Sequence, residues 1–144
     1  MTPIIPPIIE VTTNIAACRQ LRRTVFIEEQ GVSEADEIDD RDAEATHLLA
    51  TQNGTPIGSA RLLTYGDTGK IGRVCVLQSQ RGTGLGAALI RAAVAHFRTQ
   101  PGIACVKLGA QTHALGFYEK LGFTAIGPIF DDAGIPHREM VMVL

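Results

Sequence analysis

Residues 81–86 read Arg-Gly-Thr-Gly-Leu-Gly. An apolar run, Ile71 to Leu77, precedes them, and an alanine-rich helical pattern, Ala87 to Phe97, follows. Strand, glycine loop and helix in that order present backbone N–H groups to a phosphate. Three alternating glycines opening a helix, with Arg81 in front, exceed what a simple structural turn requires. The segment thus constrains both the local fold and the class of ligand.

The 144 residues suffice for one domain, expected to span 1–144, with a sizeable core. A net charge of −2 does not point to nucleic acid. The cysteines are odd in number (Cys18, Cys75 and Cys105), lie in apolar stretches and form no Cys-x-x-Cys. They read as buried free thiols in a reducing compartment. Met1 to Val11 is apolar but has three prolines and no basic residue, unlike a signal peptide or membrane span. A cytoplasmic protein without nucleic-acid or membrane partners is expected.

Charge is segregated along the chain. Nine acids lie between Glu28 and Glu44, whereas Thr68 to Tyr118 contains no Asp or Glu. That middle stretch carries Lys70, Arg73, Arg81, Arg91, Arg98 and Lys107. A region without carboxylates around the glycine loop suits a polyanionic ligand.

A first strand ends at about Val11, and hydrophobic spacing of Ile15, Cys18, Leu21 and Val25 then predicts a helix over about 13–30. The acidic stretch 31–45 reads as a loop. Strands are predicted from His47 to Thr51 and from Pro56 to Tyr65, joined by an Asn53-Gly54 hairpin turn, and then over 70–77. A helix follows the glycine loop, then a buried strand from Ile103 to Leu108. A helix from Thr112 to Leu121 and strands at Phe123 to Ile126 and Glu139 to Leu144 complete the chain. This order predicts an α/β fold with a mixed, mostly antiparallel sheet flanked by helices.

Gly82 to Ala87 also fits the dinucleotide pattern G-x-G-x-x-A. That motif needs an acid about 20 residues on, and none occurs before Glu119. A P-loop would need Gly-Lys-Ser/Thr, which is absent. The segment from Arg81 to Gly86 instead resembles the R-x-x-G-x-G acyl-coenzyme A loop of the GNAT superfamily of N-acetyltransferases. Ala114 to Phe123, ALGFYEKLGF, is similar to that family's second signature, A-x-x-F-Y-x-x-x-G-F. Val25-Phe26 to Glu29-Gln30, His47, and Gly134-Ile135-Pro136-His137 resemble its ElaA-like subgroup and glyphosate-acetyltransferase-like relatives.

The resemblance implies the acyl-CoA N-acyltransferase fold, acetyl-coenzyme A as co-substrate, and no metal. The loop Arg81, Gly82, Thr83, Gly84, Leu85, Gly86 and Ala87 would hold the pyrophosphate, its glycines allowing close backbone approach. Val74, Cys75 and Val76 would splay from the next strand and pair with the pantetheine arm, and an N–H there could polarise the thioester carbonyl. Many relatives carry Asn where this chain has Gln111. Tyr118 would protonate the leaving thiolate, a role suited to a phenol that stays protonated at neutral pH. His137 would be the general base, with a Glu or a water relay as alternatives.

Glu28 and Glu29 end the first helix on what would be the acceptor side, where a carboxylate binds or deprotonates an amine. Most of the acidic run reads as a solvated face. Arg73 could instead meet a substrate carboxylate. His47 reads as structural, His96 as a surface residue, and His113 as flanking the cofactor helix. No histidine spacing suggests a metal site. Cys75 lacks a neighbouring base, which favours direct transfer over an acyl-cysteine. The expected activity is acetyl transfer to a primary amine of a small molecule. The alternatives are an acyl-coenzyme A sensor without catalysis and a protein or peptide acetyltransferase. A homodimer is compatible with the family.

Overall fold

The computed structural model describes residues 5–144, so the first four residues of the apolar N-terminal stretch lie outside the description. Seven strands form one sheet: β1 (Ile8–Thr12), β2 (Thr46–Gln52), β3 (Thr55–Tyr65), β4 (Thr68–Val76), β5 (Cys105–Gln111), β6 (Thr124–Asp132) and β7 (Ile135–Val143). Their order is β1-β2-β3-β4-β5-β7-β6, and only β4 and β5 are parallel. The mixed, mostly antiparallel α/β sheet is the one expected. Asn53 and Gly54 make the β2–β3 turn with positive φ at both positions, which favours Asn-Gly there.

Helix α1 (Ile15–Arg22) packs on one face of the sheet and α3 (Leu85–Arg98) on the other. Alternation along β2 sets this division. Leu48 and Ala50 join the cluster under α3, whereas Leu49 joins Cys18, Leu21, Val25 and Cys75 under α1. Leu89, Ile90, Ala93 and Phe97 form the buried stripe of α3. No helix among the described residues is long and apolar enough to cross a membrane.

Four local readings change. The first helix ends at Arg22, and Arg23–Glu29 continues as π-helix, closed by Gln30 N–H to Val25 C=O at 3.1 Å. A hydrophobic stripe over seven residues does not separate these two windings. The acidic stretch is not wholly loop, because Ser33 caps a short helix, α2 (Glu34–Glu37), accepting from Asp36 N–H at 3.1 Å. Strands β6 and β7 extend to meet in a hairpin at Ala133-Gly134, so His137 lies inside β7 rather than ahead of it. Cys18 and Cys75 are buried free thiols, but Cys105 is partly exposed at the start of β5.

Candidate active site

Two departures from regular pairing shape the site. Strands β4 and β5 pair from Thr68–Cys105 to Ile71–Leu108 and then part. Beyond that point β4 stays on β3, while β5 stays on β7 as far as Gln111–His137. The parting opens a cleft of about 480 Å³ between the two halves of the sheet. Parallel strands offer slanted hydrogen bonds along both edges, so the freed edge of β4 carries unused backbone groups into the opening.

The second departure is a bulge. Arg61 pairs with Gly72 but Ser59 pairs with Cys75, so Arg73 and Val74 together oppose Ala60. Arg73 takes φ +51°, unusual for a non-glycine residue. The extra residue shifts the alternation, turning Val74 and Val76 toward the α3 side and Cys75 into the core under α1. Val74 therefore lines the cleft and Cys75 does not. Burial pushes the Cys75 thiol up to about 11, although the Ser59 hydroxyl lies 3.3 Å away and partly offsets it. It is protonated at neutral pH and a poor nucleophile.

Beyond β4, a 3₁₀ turn at Gln78–Gln80 leads into the glycine loop, which continues from the strand end and is not part of the cleft wall. Gly82 and Gly84 have φ of +78° and +87°, and a Cβ on either would point into open space. The first α3 bond runs from Ala88 N–H to Gly84 C=O at 3.0 Å, so the preceding amides lack intrahelical partners. Thr83 donates its hydroxyl to the Gln80 carbonyl at 2.5 Å and fixes the loop. Leu85 is buried beneath the loop, and Phe117 lies beside Gly86. Arg81 pairs with Glu29, which lies outside the cleft wall, as does exposed Glu28.

Tyr118, on α4 (Leu115–Lys120), lines the cleft. Its ring packs edge-to-face against Phe117 and Phe123, at 5.0 and 6.2 Å between centroids. Burial pushes its phenol above the ordinary value. His137 reaches the same cleft from β7 and stacks on Phe130, with centroids 5.8 Å apart. Its Nδ1 is 2.7 Å from the Ile135 carbonyl, which only accepts, so that nitrogen carries the hydrogen. The Nε2 lone pair is left available.

The acidic stretch contributes a clamp that composition did not disclose. Arg22 is 2% exposed and bonds Glu37 through Nε at 2.5 Å and Asp42 through Nη1 at 2.9 Å. Arg61 grips the Asp39 carboxylate with both terminal nitrogens, at 2.7 and 2.9 Å, and reaches Asp42 at 3.1 Å. Arg73 donates to the Glu37 carbonyl at 3.0 Å and lies 3.4 Å from Asp39. Burial alone would push the Asp42 carboxyl up, but hydrogen bonds from Arg22 and then Arg19 hold it far below the usual range. His47 is buried and donates from Nε2 to the Asp42 carbonyl at 2.9 Å, a structural role. Of the expected acceptor-side residues only Arg73 lines the cleft, joined by Asp39, Arg61 and Tyr65. The available signal for Arg61 was a lone charge within the apolar strand from Pro56 to Tyr65, since such a charge must be paired.

The fold and these signatures have counterparts in known proteins. A family profile described as an acetyltransferase (GNAT) domain matches residues 16–144. ElaA of Escherichia coli strain K12 is 32% identical over 136 residues, spanning 89% of this chain and 86% of ElaA. Its crystal structure superposes with a TM-score of 0.83 at 28% identity, covering 96% of this chain and 99% of that one. An acyl-CoA N-acyltransferase from Pseudomonas aeruginosa gives a TM-score of 0.84 at 28% identity, with the same coverage. The chain thus belongs to the GNAT family of acetyltransferases.

Proposed function

We propose that this protein transfers an acetyl group from acetyl-coenzyme A to a primary amine of a small molecule, the amine attacking directly within a ternary complex. The observation that carries this reading is the parting of β4 from β5 beyond Ile71–Leu108, flanked by an open glycine loop. The site fits the donor. The loop amides and the positive-φ glycines would hold its phosphates, and the freed edge at Val74 to Val76 would pair with its pantetheine arm. When bound, acetyl-coenzyme A supplies an activated acetyl thioester.

The chain's own groups then move protons. Tyr118 retains its phenolic proton at neutral pH and can deliver it from the hydroxyl to the departing sulfur. His137, with Nδ1–H anchored on Ile135, keeps Nε2 ready to take a proton from the acceptor's ammonium, which frees the amine lone pair to attack. Buried, protonated Cys75 favours direct attack over an acyl-cysteine. A cleft of about 480 Å³ suits a small acceptor. A sensor that only bound the donor would not need Tyr118 and His137 on the same cleft. The cleft wall carries the carboxylates of Asp36, Glu37, Asp39, Asp132 and Glu139 beside Arg41, Arg61, Lys70 and Arg73, so both signs of charge are present and charge alone does not select a cationic acceptor.

The test is thiol release from acetyl-coenzyme A across a panel of amines, with mass spectrometry of the product. The reading expects thiol and N-acetylated amine in equal amounts, formed only when both substrates are present. Release without an amine product would overturn it.

A further inference from the structure

Arg81 stands in front of a loop built for an anion, yet its guanidinium is engaged by a carboxylate. Both terminal nitrogens reach Glu29, Nη2 at 2.7 Å, and Nη2 also donates to the Val76 carbonyl at 3.1 Å. The partners are 52 residues apart in sequence. Glu29 ends the π-helical segment, and Gln30 beside it accepts from the Gln111 side chain, at the end of β5, at 3.3 Å. Residues 29 and 30 therefore touch both lips of the cleft.

The Arg81–Glu29 pair is exposed, at 42% and 34% for the two side chains. Exposed pairs contribute little to stability, so the fold does not depend on this one. The donor's pyrophosphate carries two negative charges against the one of a carboxylate, and offers arginine the same two-pronged geometry. Thr68 to Tyr118 supplies no carboxylate, so Glu29 brings negative charge to the loop from outside that stretch.

We propose that Glu29 is a displaceable counter-anion that occupies Arg81 until a phosphate of the donor takes its place, and thereby sets donor affinity. This rests on the acetyltransferase reading above. Glu29 is a positioning residue: it acts through Arg81. The carboxylate must leave the guanidinium before the phosphate can pair with it, and the lost pairing subtracts from the binding free energy. Removing the carboxylate removes that competition and leaves Arg81 on the Val76 carbonyl.

The experiment is calorimetric titration of coenzyme A into the full chain and three sets of variants. Glu29→Gln is expected to bind about two- to five-fold more tightly, the range spanned by exposed ion pairs. Glu28→Gln removes the same charge one residue away and is expected to change affinity less. In an Arg81→Ala background, Glu29→Gln is expected to lose its advantage over Glu28→Gln. Unchanged or weaker binding by Glu29→Gln overturns the proposal, as does equal tightening by Glu28→Gln or persistence of the advantage without Arg81. If the unmutated protein fails to bind coenzyme A, the donor assignment falls and this proposal with it. If it binds and Glu29→Gln does not differ, the counter-anion role alone falls.

Discussion

Tyr118 and His137 reach one cleft from different elements, and each is held by contacts that leave its reactive atom free. Edge-to-face packing on Phe117 and Phe123 orients the Tyr118 ring, while burial raises its phenol. Tyr118→Phe keeps the packing and deletes the proton, so turnover should fall about 10²–10⁴-fold with coenzyme A affinity nearly unchanged. Steady-state kinetics beside calorimetry separates the two. In the proposed mechanism the acid form is the active one, and burial favours it, so the phenol should cause no alkaline loss of rate below about pH 10. His137→Ala removes the proposed acceptor of the amine proton, so turnover should fall about 10²–10⁴-fold with coenzyme A affinity nearly unchanged. Tyr118 was legible because it falls within a second signature at the right distance from the glycine loop. Arg61 and Asp39 were not, because their meaning lies in a partner 22 residues away.

At the scale of elements, regularity was legible and its interruptions were not. The order of strands and helices followed from period and turn chemistry. The β4 bulge and the π-helical winding did not, since pattern reading assumes a constant register and pitch. Both interruptions border the cleft: the bulge turns Val74 into it, and the π segment brings Phe26 and Gln30 to its wall. The acidic stretch has a similar lesson. Its exposed members Glu34, Asp36, Asp40 and Glu44 are the solvated face that composition suggests, while Glu37 and Asp42 are buried against Arg22.

Asp42 tests that clamp. Its carboxyl ionises at lower pH when folded than when unfolded, so the unfolded chain gains protons first on acidification. The stabilisation is complete above the ordinary aspartate value of ~3.9 and is lost progressively below it. Asp42→Asn should cost about 3 kcal/mol in urea unfolding at pH 7, as for other broken buried pairs. The difference from the unmutated protein should shrink as pH falls below that value. Packing of α3 on the sheet offers an independent test. A Cβ on Gly69 would lie 2.6 Å from the Phe97 ring, so Gly69→Ala should destabilise by about 1–3 kcal/mol. Adding Phe97→Leu should recover part of that loss in thermal melting if the clash is the cause.

Across the whole molecule, one sheet serves as two. Strands β1 to β4 form one half, with α1 and α3 on opposite faces, and β5 to β7 form the other with α4. The halves are joined along β4 and β5 only as far as Ile71–Leu108. In the proposed reaction, donor and acceptor meet where the sheet divides, with the glycine loop on one lip and His137 on the other half. The loop could be read from sequence because glycine spacing is local. The cleft required the sheet, because it arises from strands that stop pairing. The most direct measurement is calorimetric titration of acetyl-coenzyme A into the unmutated chain and into Gly84→Val. At φ +87° a valine is strained, and its side chain would fill the open space in front of the loop amides. Saturable binding by the unmutated protein and none measurable by a folded Gly84→Val variant are expected; equal affinity in the two would overturn the donor assignment.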